Sequence, residues 1–255
     1  MTTMLTARMW IYILSFGCST ASIKEETGTI DSEDTSLEEA ITYDCGDETL
    51  YDPTPIGMWK VCRSKSLFNN QPTVSEDVLA LLTSNLAMIE TVLEPSVLAH
   101  LQTIRFWLEE DIPAFPGAVY HPSSEWLVNN GYPAYWAEGI QIGNAVNFLD
   151  WNSIQPALIL HEMAHVWHHQ VLGYGQVEIG NAYTAAVASG IYDSVQYAGG
   201  GMQPAYALNN KQEYFAELTE AYFWENDFYP FTRSQLETFD PQGFTALENA
   251  WVTPE

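Results

Sequence analysis

Basic side chains are scarce in this chain: eight Lys plus Arg stand against thirty-three Asp plus Glu, a formal net charge of −25. A surface of that sign repels nucleic-acid phosphates and anionic membranes, so neither is expected as a partner. The same acidity fits either a solvated coat or an affinity for basic peptides. Cysteine is nearly missing, three residues in 255, and no two of them have the CxxC spacing of a thiolate metal site. The N-terminal apolar run from Met9 to Leu14 is far short of the roughly 20 apolar residues that span a bilayer, so no transmembrane span is expected in the mature form. No internal repeat is visible.

That short run has instead the form of a signal peptide, with Arg8 before it and small residues after it through Ser22. Two readings stand. Cleavage after Ala21 makes 1–21 a signal and the protein secreted. Cleavage after Gly17 leaves Cys18 to carry a lipid anchor at the cell-envelope surface, although Ser15-Phe16-Gly17 is an imperfect lipobox. Residues 22–44 are rich in Ser, Thr, Glu and Asp and poor in large apolar groups, which reads as an acidic disordered tether or a pro-segment. With Cys18 removed or lipidated, Cys45 and Cys62 remain as an even pair, expected to form a disulfide in an oxidising compartment. Residues 45–255 are enough for a single core, read here as a monomeric domain.

Histidine is rare as well, six in all, yet His161, His165, His168 and His169 fall close together. The first two belong to His161-Glu162-Met163-Ala164-His165. In a helix, positions i and i+4 share a face, so both imidazoles can aim at one metal ion with Glu162 beside them. From this chain's composition HExxH would arise by chance about 0.01 times per chain. Leu158, Ile159, Leu160, Met163, Val166 and Trp167 make the segment apolar almost all round, as a buried helix is. Asp150, Asn152 and Ser153 offer caps, Pro156 suits a first turn and Gly173 a position just past the end. Polar groups in such a helix need a partner, and a metal provides one. The bland alternative is a pair of core histidines hydrogen-bonded to Glu162.

A catalytic zinc takes three protein ligands and one open position. His168 and His169 sit on the same rigid helix and cannot surround an ion already held by His161 and His165; they read as helix-flank residues or as supports behind the ligands. The longer pattern HExxHxxGxxH fails, with His168 where Gly is needed and Val171 where the third His belongs. Glu213 is the best remaining ligand. Asn209 or Asn210 can cap a helix through Glu213, Ala216, Glu217, Glu220 and Tyr222 that breaks near Asn226 and Asp227. Glu217, one turn beyond Glu213, then orients a histidine, His161 in this reading, by accepting its second N–H. Alternatively Glu213, Glu217 and Glu220 form one solvated helix face.

The HExxH run followed by Glu213-Tyr-Phe-Ala-Glu217 resembles the gluzincin zinc metallopeptidases, in the branch of the anthrax lethal factor catalytic domain and the Pro-Pro endopeptidases. The likeness spans roughly 74–244 and is strongest over 155–231. The string EYFAELTEAYF followed by NDFYPF, at 213–231, is also similar to a set of secreted bacterial and fungal proteins. This resemblance implies a zincin-like α+β domain, one Zn2+, and a peptide or protein substrate. It also implies a tyrosine seven residues before the glutamate ligand that stabilises the transition state, and that position is Tyr206. The receptor-binding and docking domains of the toxin have no counterpart here, so its cell entry and its substrates are not implied.

The pattern elsewhere supports an α+β class. An amphipathic helix is expected from Ser75 to about Leu93, a shorter one from Pro95, and strands at 103–108 and 118–120. Gly139, Ile140, Gln141, Ile142 and Gly143 alternate like a half-buried strand, expected as an edge that binds substrate by β-addition. Tyr192, Tyr197 and the glycine run 199–201 lie between the two motif helices, as a closing loop or a plain connection. The expected activity is that of a zinc endopeptidase. A zincin-fold binding module without activity is the alternative.

Overall fold

The computed structural model describes residues 41–252. The signal sequence, the Cys18 position and all but the end of the expected tether lie outside those residues. At that end, Tyr43 is already part of the folded domain: its hydroxyl donates to the Val61 carbonyl and accepts from the Val61 amide. The domain therefore begins slightly before the expected boundary at residue 45.

The order of elements is β1 (Tyr51–Pro53), β2 (Lys60–Ser64), α1 (Lys65–Asn70), α2 (Pro72–Val92), α3 (Pro95–Leu101), β3 (Arg105–Leu108), β4 (Ala118–His121), α4 (Ser124–Asn129), β5 (Gly139–Ile142), α5 (Ala145–Trp151), α6 (Leu158–Trp167), α7 (Val177–Ser189), β6 (Val195–Gln196), β7 (Met202–Gln203), α8 (Lys211–Phe223), α9 (Arg233–Phe239) and α10 (Pro241–Ala250). This is the expected α+β class, with a mixed five-stranded sheet in the order β1-β2-β3-β5-β4. Strands β2, β3 and β5 run parallel, while β1 and β4 are antiparallel to their neighbours. Among the described residues no helix is long and apolar enough to cross a membrane.

The period-two alternation of strands sorts side chains between two cores. Val61, Phe106, Leu108, Ile140 and Ile142 face the larger one, which the helices cover. Cys62 and Trp107 face a smaller aromatic cluster with Tyr51, Phe115, Leu127 and Trp136. Cys45 and Cys62 form a disulfide with sulfurs 2.02 Å apart, as their pairing predicted. Helix α2 starts with Pro72 in its first turn, a position where the missing N–H is no loss. It runs three residues further toward the N-terminus than the reading from Ser75.

The segment 139–143 is a strand but not an edge. Strand β5 lies between β3 and β4, and all four of its residues are buried. Its glycines serve packing. A Cβ on Gly139 would stand 2.2 Å from the Trp107 ring, and one on Gly143 would stand 2.3 Å from the Phe115 carbonyl. Local alternation cannot reveal this, because a strand's place in a sheet depends on its distant neighbours. The edges are β1 and β4, and it is β4 that lies antiparallel to β5 and next to the helix with the histidines.

Candidate metal centre

Helix α6 carries His161, Glu162 and His165, and it packs along α8, which carries Glu213, Glu217 and Glu220. The first helix is capped by Ala157 rather than by Asp150, Asn152 or Ser153, since residues 145–151 form the separate helix α5. Asn144, not an aspartate, caps α5, its side chain accepting from the Asn147 amide. Helix α6 passes into a π-helical turn at His168–Leu172 that ends at Gly173, whose φ of +73° is the backbone that glycine tolerates best. Helix α8 begins as expected: the Asn210 side chain accepts from the amides of Gln212 and Glu213.

Three donor atoms converge. His161 Nε2 lies 3.1 Å and His165 Nε2 3.3 Å from Glu213 Oε2. All three lie within 4.8 Å of one another. Donors bonded tetrahedrally at about 2.0–2.1 Å stand roughly 3.3 Å apart, so the spacing fits a single zinc-sized ion. Burial alone would raise the Glu213 carboxyl; hydrogen bonds with His161 and His165 overcome it and hold the group well below the carboxylate range. Burial opposes charge on His161, but Glu213 and Glu220 outweigh it and raise that imidazole.

The partner on the far side of His161 differs from the expected one. Glu220 Oε1 lies 2.6 Å from His161 Nδ1, whereas Glu217 Oε1 lies 3.8 Å away. Glu220 is seven residues beyond Glu213, two helical turns, and so shares its face as well as Glu217 does. Crossing geometry between the helices decides between them, and it favours Glu220. Both oxygens of Glu217 are buried without a hydrogen-bond partner, as are Glu220 Oε2 and Asp227 Oδ1. Burial, then the charge of Glu220, raises the Glu217 carboxyl; the same causes push Asp227 up to about 7.

Glu162 is held from the edge strand. The Tyr120 amide donates to its Oε2 at 2.7 Å. Burial raises this carboxyl, while His165 and His161 pull against the rise, which suits a group that exchanges protons. The Tyr120 hydroxyl meets His169 Nδ1 at 2.8 Å and accepts from Gln170 Nε2 at 3.2 Å. His169 thus braces the strand rather than the donor set. His168 is fully buried, with neither ring nitrogen bonded, and burial pushes it down to about 4.

These groups open on a cleft of about 790 Å³ that includes Tyr120, Trp151, Tyr174, Tyr197, Tyr206 and Phe228 in its lining. Tyr206 is 48% exposed, with its ring centroid 6.4 Å from that of His161, a position from which its hydroxyl can face a bound group. Tyr192 is absent from the cleft; it is buried and donates to Asp240. The 199–201 glycines turn the short β6–β7 hairpin. Gly139 to Gly143 lie outside the cleft lining, whereas residues 118–120 of β4 are part of it. Sequence reasoning missed Glu220, whose i+7 spacing was a usable signal, and Tyr120, which acts through its backbone and leaves no side-chain signature. Comparison with protein-family models, with curated proteins and with solved structures finds no match for this chain.

Proposed function

We propose that this chain is a secreted or surface-anchored zinc-dependent endopeptidase with a zincin-like fold of gluzincin type. The observation that carries the reading is the approach of His161, His165 and Glu213 to one point, with Glu162 beside them in an open cleft. A zinc ion held by the three donors would polarise a carbonyl and lower the pKa of a water to about 7.

The remaining chemistry belongs to the chain. Glu162 takes the water proton and delivers it to the leaving amine, steadied by the Tyr120 amide on its other oxygen. Glu220 fixes the tautomer and ring plane of His161. Tyr206 donates its O–H to the developing oxyanion, where one well-placed donor contributes roughly 2.7–4 kcal/mol. An extended peptide adds to the free side of β4, drawing affinity from backbone hydrogen bonds. The Cys45–Cys62 bridge suits an oxidising compartment.

The test is cleavage of a peptide library by the purified protein, with and without chelator, alongside Glu162→Gln. Expected are one zinc per chain by elemental analysis and cleavage abolished by either treatment. Cleavage that survives both rejects the mechanism. Zinc binding with no hydrolysis of any peptide favours the non-catalytic binding module instead.

A further inference from the structure

The cleft continues past the donor set to a second group of carboxylates that the reaction above does not use. Glu217 and Asp227 both line it, and each is 1% exposed. Glu220 has one oxygen engaged by His161; both oxygens of Glu217 and Asp227 Oδ1 have no hydrogen-bond partner, Glu217 Oε1 lying 3.8 Å from His161 Nδ1. The charges acting on Glu217 come from Glu220, Asp227, His161 and Glu213, and those acting on Asp227 from Glu220 and His161. Among the described residues, four cations are engaged elsewhere: Arg63 bonds Glu76, Lys65 reaches Asp52, Lys60 bonds the Thr103 carbonyl and Arg233 reaches Glu248. Several buried acceptors that the fold leaves unpaired call for a donor from outside.

The approach to them has a definite character. Trp151, Leu158, Tyr197 and Phe228 line the same cleft, and Gln155 is a neutral hydrogen-bonding neighbour of Asp227. The Tyr197 and Phe228 rings lie 4.9 Å apart, and the Ala198 amide donates to the Asp227 carbonyl, so this wall and the carboxylate are built together. In the same β6–β7 turn as Tyr197, Gly200 and Gly201 have φ of +106° and +86°, backbone that glycine adopts without strain. A bare cation would have no use for aromatic walls. A guanidinium has: its stem lies along apolar surface, its plane stacks on rings, and its fork of five N–H donors matches carboxylates two at a time.

We infer that Glu217 and Asp227 form the floor of a subsite for an arginine side chain of the peptide substrate, next to the scissile bond. This rests on the endopeptidase reading for the occupant being a peptide, but the binding can be measured without turnover. Zinc-loaded Glu162→Gln protein is titrated by calorimetry with short alanine peptides, capped at both ends, that carry one arginine or one norleucine at each position in turn. The expected result is at least tenfold tighter binding for arginine than for norleucine at one position. Asp227→Asn on the same background removes that preference while circular dichroism shows the fold intact.

Equal affinities for arginine and norleucine at every position overturn the inference, and this arm needs no change in the pocket. A preference that persists unaltered in a folded Asp227→Asn protein also overturns it. So does a second bound metal equivalent, lost in Asp227→Asn, with no arginine preference: the carboxylates are then an ion site. If the arginine contrast holds but the wild-type protein cleaves none of these peptides, the endopeptidase reading fails and the subsite stands.

Discussion

Glu220 and Glu217 differ by less than one helical turn, and the fold gives them separate tasks. Glu220 sits against His161 Nδ1 at 2.6 Å and Glu217 at 3.8 Å. Partners of this kind typically contribute 10–100-fold in metal affinity. Glu220→Ala is therefore expected to weaken zinc binding by one to two orders of magnitude in chelator competition, and Glu217→Gln by less than threefold. The reverse order would restore the assignment made from i+4 spacing. Glu109, in a second place far along the sheet, offers a test of burial. It is 6% exposed, and burial pushes its carboxyl from 4.5 up to about 7 despite a hydrogen bond from Tyr51. The folded state thus prefers the protonated acid. Its contribution to stability is complete below about pH 4.5 and is lost as pH rises through 7, with a slope of at most about 1.4 kcal/mol per pH unit. Urea denaturation at pH 5 and pH 8 is expected to show the wild-type protein losing stability with rising pH, and Glu109→Gln losing less.

Helices α6 and α8 were legible because their signals are local. A histidine pair four residues apart, a buried apolar surround and an asparagine ahead of a glutamate-rich stretch all sit within a few turns. Asn210 is the case to test: its side chain satisfies the amides of Gln212 and Glu213, and Glu213 belongs to the candidate donor set. Asn210→Ala is expected to lower stability by about 1 kcal/mol by urea titration, and to weaken zinc binding because the first turn of α8 loosens. The strands were less legible for a physical reason. Alternation in 139–143 marks a strand, but whether it is central or peripheral depends on β3 and β4, which lie far away in the chain. Helix α5 was also missed, because Asn147 to Asp150 read as the approach to the histidine helix and Asp150, Asn152 and Ser153 as its caps.

Across the whole molecule, the sheet separates a large helix-covered core from a small aromatic one, and the Cys45–Cys62 bridge ties the start of the domain to β2 within the latter. Closing a loop with a sequence separation of 17 contributes about 3 kcal/mol in the chain-entropy model. A Cys45→Ala, Cys62→Ala double variant is expected to unfold at correspondingly lower urea, with the zinc affinity of the folded protein unchanged because the bridge is remote from α6 and α8. The α+β class followed from the order of patterned segments, yet the division into two cores did not, since nothing local distinguishes the face of Trp107 from that of Phe106.

In the proposed endopeptidase, the 2.7 Å bond between the Tyr120 amide and Glu162 would make docking and chemistry mechanically inseparable. A guest chain zippering onto the rim of β4 lies within a residue or two of the carboxylate that would take a proton from its attacker. A slip in register along that rim would therefore move the bond to be cut away from the base, so on that reading the strand would act as a ruler as well as a handhold.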